Sequence, residues 1–365
     1  MIPVLKTSIP TLRDVSALIA DMDRLMIYSN YGPLHSRYKD ILASIFDIDE
    51  SFLGIVSSGT AGLISCLLAF LSEFSLERSE VTVAIPNWTF PATAQVALAL
   101  GCRVVLIDVS DNGALLPSDI ERARENFDII IPVAPFGEFS CAYEWEEYAV
   151  QTGKKVIIDA AASFFTARAL EIPVVISTHA TKGFSTGEGG IVLCKDADYI
   201  NKVIHTSNFG FSSSRSSDYI GINHKMSEIN CAYGIAGAEA MASTERTWKN
   251  QVEYYDTLLA GSDDAKPFNS CFARTTYNLM ISGAYESGII DKIITRMIAD
   301  YGIETRRWWA KPLSEQGIGK KCIRADNYQN TNTFHQRILG IPMGVHIDSS
   351  KQEQIIASLQ KSLAF

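Results

Sequence analysis

One lysine stands a few residues past an apolar run, Ile172-Pro-Val-Val-Ile176, within Ser177-Thr-His-Ala-Thr-Lys182-Gly-Phe-Ser-Thr-Gly-Glu188-Gly-Gly190. Small, hydroxyl-bearing and glycine residues surround it and leave room for a ligand. A loop lysine is ordinarily solvated. One that condenses with a carbonyl needs a partly dry site and neighbours that favour its neutral amine. Lys182 therefore reads as either, and context must decide. A second signal is Ser57-Ser-Gly-Thr-Ala-Gly-Leu63. A Ser-Gly-Thr turn opening an apolar helix aims free backbone N–H groups and a positive helix end at one spot, which suits a phosphate. The same residues also read as a plain N-cap by Ser58 or Thr60.

The elements that must position these groups follow from the hydrophobic pattern. Short apolar runs recur at Val81–Ile85, Arg103–Asp108, Ile129–Val133, Lys155–Asp159, Val174–Ser177 and Gly190–Cys194, with helical stretches between most of them. Continuous β-branched runs of this kind predict an α/β fold with a mostly parallel sheet covered on both faces. Ligands then bind beyond the carboxyl ends of the strands. Pro86-Asn-Trp-Thr-Phe90, Ala134-Pro-Phe-Gly137, Asp159 and Ser177 finish four of these runs and are expected to converge on one crevice.

Upstream, helices are expected over Val15–Met26 and Ser36–Phe46, with Leu63–Leu71 as a buried helix. A small-residue helix is expected over Ile229–Ala242. The segment Ser212–Ser217 reads as a loop. A boundary near Ser243–Lys249 divides a large domain, 1–245, from a smaller α+β domain, 246–365. In the latter Phe268–Phe272 and Tyr277–Ile281 look like strands, and Ile289–Asp300 and Lys351–Ser362 like helices.

The chain has 365 residues, a hydrophobic fraction of 47% and a formal charge of −9. It is long enough to bury two cores, and its acidic balance argues against sequence-independent nucleic-acid binding. Seven scattered cysteines without a CxxC pair fit reduced thiols in a cytoplasmic protein better than a disulfide framework or a zinc site. No signal peptide and no run of membrane-spanning length is read, so neither a nucleic acid nor a membrane is expected as a partner.

Taken in order, Asn30-Tyr-Gly-Pro33, Ser58-Gly-Thr-Ala-Gly-Leu63, Pro86-Asn-Trp-Thr-Phe90, Asp159-Ala-Ala, Ser177-x-His-x-x-Lys182, Gly187-Glu-Gly-Gly190, Gly221-x-Asn-x-Lys-Met226 and Thr305-Arg306 resemble the DegT/DnrJ/EryC1/StrS sugar aminotransferases. These are fold type I enzymes dependent on pyridoxal 5′-phosphate (PLP), and the resemblance covers most of the chain. It implies that Lys182 carries PLP as a Schiff base and then serves as the proton-transfer base. Asp159 is implied as the partner of the protonated ring nitrogen. Gly59, Thr60 and Ser177 are implied as phosphate donors, together with Asn223 from the neighbouring subunit of a homodimer. Phe90 is the first choice to stack on the ring, with Trp88 as competitor. His179 is placed beside the cofactor as a possible catalytic group, and Glu188 braces the lysine loop.

Three positions depart from the family's usual pattern. Ala162 stands where a ring-hydroxyl contact is common, so Ser163 or water must replace it. Ala134 follows Pro-Val where histidine is usual, and Lys225 replaces an arginine. The acceptor implied is a nucleotide-linked 4-keto-6-deoxyhexose, aminated from glutamate, for surface polysaccharide such as O-antigen or for another amino sugar. Asn30, Tyr31, Arg306 and Trp308 are candidates to hold it. Alternatives are a non-nucleotide acceptor such as an 8-keto octulosonate, a 3-keto sugar, or a non-catalytic regulator that retains the fold. Dehydratases of the family carry histidine in place of the lysine, so Lys182 argues against that chemistry.

Overall fold

A computed structural model describes residues 1–123, 126–212, 216–268, 276–283 and 288–364. The chain opens with α1 (Leu12–Leu25) and α2 (Pro33–Phe46). The core then begins with β1 (Leu53–Val56), α3 (Gly59–Leu71), β2 (Thr82–Pro86), α4 (Ala92–Ala99) and β3 (Arg103–Ile107). Next come α5 (Pro117–Ala123), β4 (Ile129–Ile130), α6 (Cys141–Thr152), β5 (Lys155–Val156), β6 (Ile158–Asp159), β7 (Val174–Ser177), β8 (Gly190–Leu193) and α7 (Ala197–Thr206). A long α8 (Glu228–Leu259) leads to β9 (Ala265–Pro267), β10 (Tyr277–Ile281), α9 (Ile289–Tyr301), β11 (Ile323–Arg324), α10 (Gln329–Arg337), β12 (Ile338–Ile341) and α11 (Ser349–Leu363).

The apolar runs lie side by side as β11-β3-β2-β4-β5 and β6-β7-β8-β1. Val133 bridges Asp159 in parallel, and Asp159 N–H donates to Pro132, which joins the two groups into one sheet. Pairings from β11 through β7 are parallel, whereas β8 runs antiparallel to both β7 and β1. The strand expected over Lys155–Asp159 is broken at Ile157, whose N–H still donates to Ile130. The buried β7 and β8 are apolar on both faces, as a sheet covered on two sides requires.

The helix expected over Ile229–Ala242 is far longer, 32 residues. It crosses the expected boundary without a break because no proline or cap interrupts it there. Its first half packs Cys231, Ala232, Ile235 and Ala236 into the core beside the large sheet, and its second half packs Trp248, Val252, Tyr255 and Leu259 into a separate core with β10, β12 and α11. The chain also crosses between the two cores elsewhere. Ile2 bridges Ile303, and β11 returns to pair with β3. Of the strand expected over Phe268–Phe272, positions 269–272 lie outside the described residues; the observed strand, β9, ends at Pro267. Residues 213–215 of the serine-rich loop also lie outside them.

Cys66, Cys102, Cys141, Cys194 and Cys231 are buried free thiols and Cys322 is half-buried. Among the described residues no helix is long and apolar enough to cross a membrane.

The N-terminal loop is tied to the start of α8 by one buried carboxylate. Glu228 accepts from the N–H groups of Leu34 (2.7 Å) and His35 (3.1 Å), satisfying the first turn of α2. His35 itself is buried, its Nε2 has no hydrogen-bond partner, and burial followed by the Lys39 charge pushes its pKa down from 6.5 to about 4. Between those values the unfolded chain holds a proton that the folded chain has shed. Stability is therefore complete above pH ~6.5 and is lost as pH falls toward ~4, by up to about 3 kcal/mol from this group. Urea unfolding of His35→Leu over this window should show a shallower loss than the native sequence; parallel curves would contradict the assignment.

Candidate active site

Lys182 and Asp159 meet at the carboxyl end of the parallel part of the sheet. Asp159 closes β6 and is 5% exposed. Its Oδ2 accepts from Thr93 Oγ1 at 2.8 Å and its Oδ1 from the Ala161 N–H at 3.2 Å. Burial pushes the Asp159 carboxyl up, opposed by these two hydrogen bonds and then by the Lys182 charge. Burial also pulls the half-buried Lys182 amine down, with the Asp159 charge opposing. A lysine amine eased toward neutrality beside a carboxylate supplies the context that the loop sequence lacked.

The lysine loop is held rigidly. The Lys182 N–H donates to His179 O at 2.9 Å. Thr178 and Thr186 share a buried hydroxyl contact of 2.7 Å, and Asn230 on α8 donates to Thr186 O at 2.9 Å. Gly189 passes so close that an added Cβ would meet Thr178 Oγ1 at 2.3 Å and Met226 Cε at 2.7 Å. His179 turns into its own loop. Its Nδ1 accepts from the Thr181 N–H at 3.2 Å, which leaves the proton on Nε2, 3.5 Å from Glu188. Among the described residues no hydrogen bond or ion pair joins His179 to Asp159.

The start of α3 forms the second wall. Ser58 is its N-cap, accepting from the Ala61 N–H at 3.0 Å, so the capping reading holds for Ser58. Gly59 and Thr60 follow at the first helical positions, where N–H groups have no acceptor within the helix. Gly59 lies against Ser177: a Cβ there would meet Ser177 Cβ at 2.9 Å, and one at Gly190 would meet the Ser58 carbonyl at 2.4 Å. The capping and anion-binding readings are thus compatible, since capping uses a different N–H.

Phe90 is 61% exposed, whereas Trp88 is 2% exposed. Trp88 is corrected from stacking candidate to core residue. Its ring lies among Phe334 (4.9 Å), Trp309 (4.8 Å), Phe136 (5.5 Å) and Phe268 (5.7 Å), and neighbouring Asn87 receives Ser314 N–H at 2.8 Å. Ser163 is 1% exposed and its Oγ has no hydrogen-bond partner.

Asn223 bridges Asn208, and Lys225 Nζ donates to the Oδ1 atoms of both at 2.8 Å, with the Phe209 ring 4.8 Å away. Asn30 and Tyr31 both take left-handed backbone conformations, φ 66° and 61°, and the Tyr31 ring meets His35 edge-on at 5.0 Å. Arg306 pairs with Glu304 at 2.9 Å and lies 4.8 Å over Trp308, whose Nε1 is buried without a partner. Trp308 and Trp309 both pack against the aromatic cluster by the strand ends, Trp309 stacking on Phe136 at 4.4 Å.

A family model, that of the DegT/DnrJ/EryC1/StrS aminotransferase family, matches residues 26–360. The chain belongs to this family. Protein Rv3402c of Mycobacterium tuberculosis (strain ATCC 25618 / H37Rv) is 23% identical over 99% of this chain and 90% of its own length. A Shigella dysenteriae protein named dTDP-4-amino-4,6-dideoxy-D-glucose transaminase is 24% identical over 92% of this chain and 91% of its own. The solved structure of a Bacillus cereus ATCC 10987 protein, described as a PLP-dependent aminotransferase, superposes with a TM-score of 0.88 at 25% identity, covering 98% of this chain and 99% of that one.

As a member of the DegT/DnrJ/EryC1/StrS aminotransferases the chain is an enzyme with PLP as cofactor. The residues present fit that group. Ser163 offers an unpartnered buried hydroxyl, Gly59 and Ser177 form a cradle that any side chain at Gly59 would fill, and the exposed Phe90 has an open face. Reading the motifs missed Thr93. The available signal was a pair of hydroxyls, Thr89 in the turn after a strand end and Thr93 in the first turn of the helix that follows.

Gly59→Ala should fold but hold PLP weakly, because Ser177 must shift to admit the methyl. Losing one phosphate hydrogen bond at about 1.5 kcal/mol corresponds to roughly a tenfold weaker Kd. Fluorescence titration of the apo form with PLP reads this directly; unchanged affinity would remove Gly59 from the cradle.

Proposed function

We propose that this aminotransferase moves an amino group from glutamate to a nucleotide-linked 4-keto-6-deoxyhexose. The observation that carries the reaction class is Asp159 and Lys182 opposed in one buried crevice beside the Gly59–Ser177 cradle. The acceptor class rests on the name of the Shigella relative and on the half-exposed guanidinium of Arg306, whose planar fork suits a carboxylate or phosphate.

When bound, PLP supplies the electron sink that lets an amino group leave one carbon and join another. The chain's own residues do the rest. Asp159 would accept a hydrogen bond from the ring N–H, and the Gly59 and Thr60 N–H groups with the Ser177 hydroxyl would bind the phosphate. Phe90 covers the ring face, and Ser163 stands in for the contact absent at Ala162. Lys182 anchors the cofactor; its Nζ, eased toward the neutral amine by burial, takes and returns the substrate proton. His179 and Glu188 keep the loop in place. Asn30, Tyr31 and Arg306 face the acceptor, while Trp308 backs Arg306.

A homodimer completes this reading. Phe209, Ile220, Ile222 and Ile229, 43–66% exposed, surround Asn223, an apolar surface that a second copy would cover while bringing Asn223 to the neighbouring phosphate.

The test is a panel assay of the PLP-loaded enzyme with glutamate and four acceptors: dTDP- and UDP-linked 4-keto-6-deoxyhexoses, an unlinked 8-keto octulosonate and a 3-keto sugar. The highest kcat/KM is expected for a nucleotide-linked 4-keto sugar. Preference for the octulosonate or the 3-keto sugar would overturn the acceptor. Turnover of none, with the spectrum of a bound cofactor absent, would leave the regulator as the better account.

A further inference from the structure

Thr93 and Thr89 are 0% and 1% exposed, buried hydroxyls beside the apolar Ala94 and Ala97. Thr93 Oγ1 has three oxygen neighbours: Asp159 Oδ2 at 2.8 Å, Thr89 Oγ1 at 3.1 Å and Phe90 O at 3.3 Å. A hydroxyl carries one proton. A carboxylate accepts more strongly than a carbonyl and here is also nearer, so Thr93 donates to Asp159. Thr89 then donates to Thr93, and both hydrogen bonds polarise in the same direction. In a helix a threonine hydroxyl commonly bonds back to a carbonyl three or four residues earlier. At Thr93 that option, Phe90 O, is the longest of the three contacts.

Each carboxylate oxygen of Asp159 accepts one hydrogen bond, Oδ2 the shorter one from Thr93 and Oδ1 the 3.2 Å one from the Ala161 N–H, and each keeps a further lone pair. We propose that Thr93, backed by Thr89, is a positioning residue: the hydroxyl relay holds Asp159 as an oriented anion toward the cofactor's ring nitrogen. This rests on the reading of Asp159 as the ring-nitrogen partner. Burial works against the anion, pushing the carboxyl up, and the hydrogen bond from Thr93 is the largest force opposing it. The account gives a physical reason for two threonines where valines would fill the same space.

The experiment loads native enzyme, Thr93→Val, Thr93→Ser, Thr89→Val and Asp159→Asn with PLP labelled with ¹⁵N in the ring. It follows the ¹⁵N shift against pH, with the PLP Kd and the melting temperature of each apo form. Thr93→Val should lower the protonated fraction of the ring nitrogen across the titration, because losing a hydrogen bond to the charged carboxylate raises Asp159, which then competes for the shared proton. It should lower kcat about tenfold or more with little change in the KM for glutamate, while the apo melting temperature stays close to native. Thr93→Ser should restore the native titration, and Thr89→Val should move it less and in the same direction. A native titration in Thr93→Val overturns the proposal, as does failure of Thr93→Ser to restore it. A native titration in Asp159→Asn overturns the reading of Asp159 as well, which separates the two failures. Should Thr93→Val melt markedly lower, Thr89→Val carries the test, and an unmoved titration there overturns the relay.

Discussion

Burial sets Asp159 and Lys182 against their own charges, and the architecture around them offsets that cost. A carboxylate and an ammonium each lose hydration in the crevice; hydrogen bonds and then the Lys182 charge oppose this at Asp159, and the Asp159 charge opposes it at Lys182. Removing one partner from such a site leaves the other uncompensated. The remaining forces are local and directional: Thr93 and the Ala161 N–H on the carboxylate, and the backbone bond from Lys182 to His179 on the lysine loop. The pair is thus placed at a charge state that chemistry can use.

Close backbone approach delivers this placement. Gly59 fits against Ser177, Gly190 against the Ser58 carbonyl, and Gly189 beneath Thr178 and Met226. The start of α3, the end of β7 and the lysine loop consequently share one small volume, with an N-terminal dipole facing it. The buried Glu228 ties the start of α2, just after Asn30 and Tyr31, to the start of α8, a few residues from Asn223.

Much of this was legible in the sequence, because the strand runs and the residues finishing them are local signals. Ser58, Asp159, Ser177 and Lys182 stand where a parallel sheet puts them. Direction is not local: the apolar run at Gly190–Leu193 reads the same whichever way it runs, and only its pairing with β1 and β7 makes it antiparallel. Trp88 and Phe90 look alike as strand-end aromatics, and their opposite fates depend on Phe268, Trp309 and Phe334, all more than 170 positions away in sequence. Thr93 was silent for the same reason, its partner being 66 residues distant. The length of α8 is not legible in its pattern, because the helix changes which core it serves midway along.

Everything proposed for the crevice depends on Lys182 being the residue that bears the cofactor. Borohydride reduction of the PLP-loaded enzyme followed by peptide mass mapping measures this most directly. A single pyridoxyl adduct on the peptide containing Lys182 is predicted. An adduct on another lysine, or none on a protein whose spectrum shows bound cofactor, would contradict it.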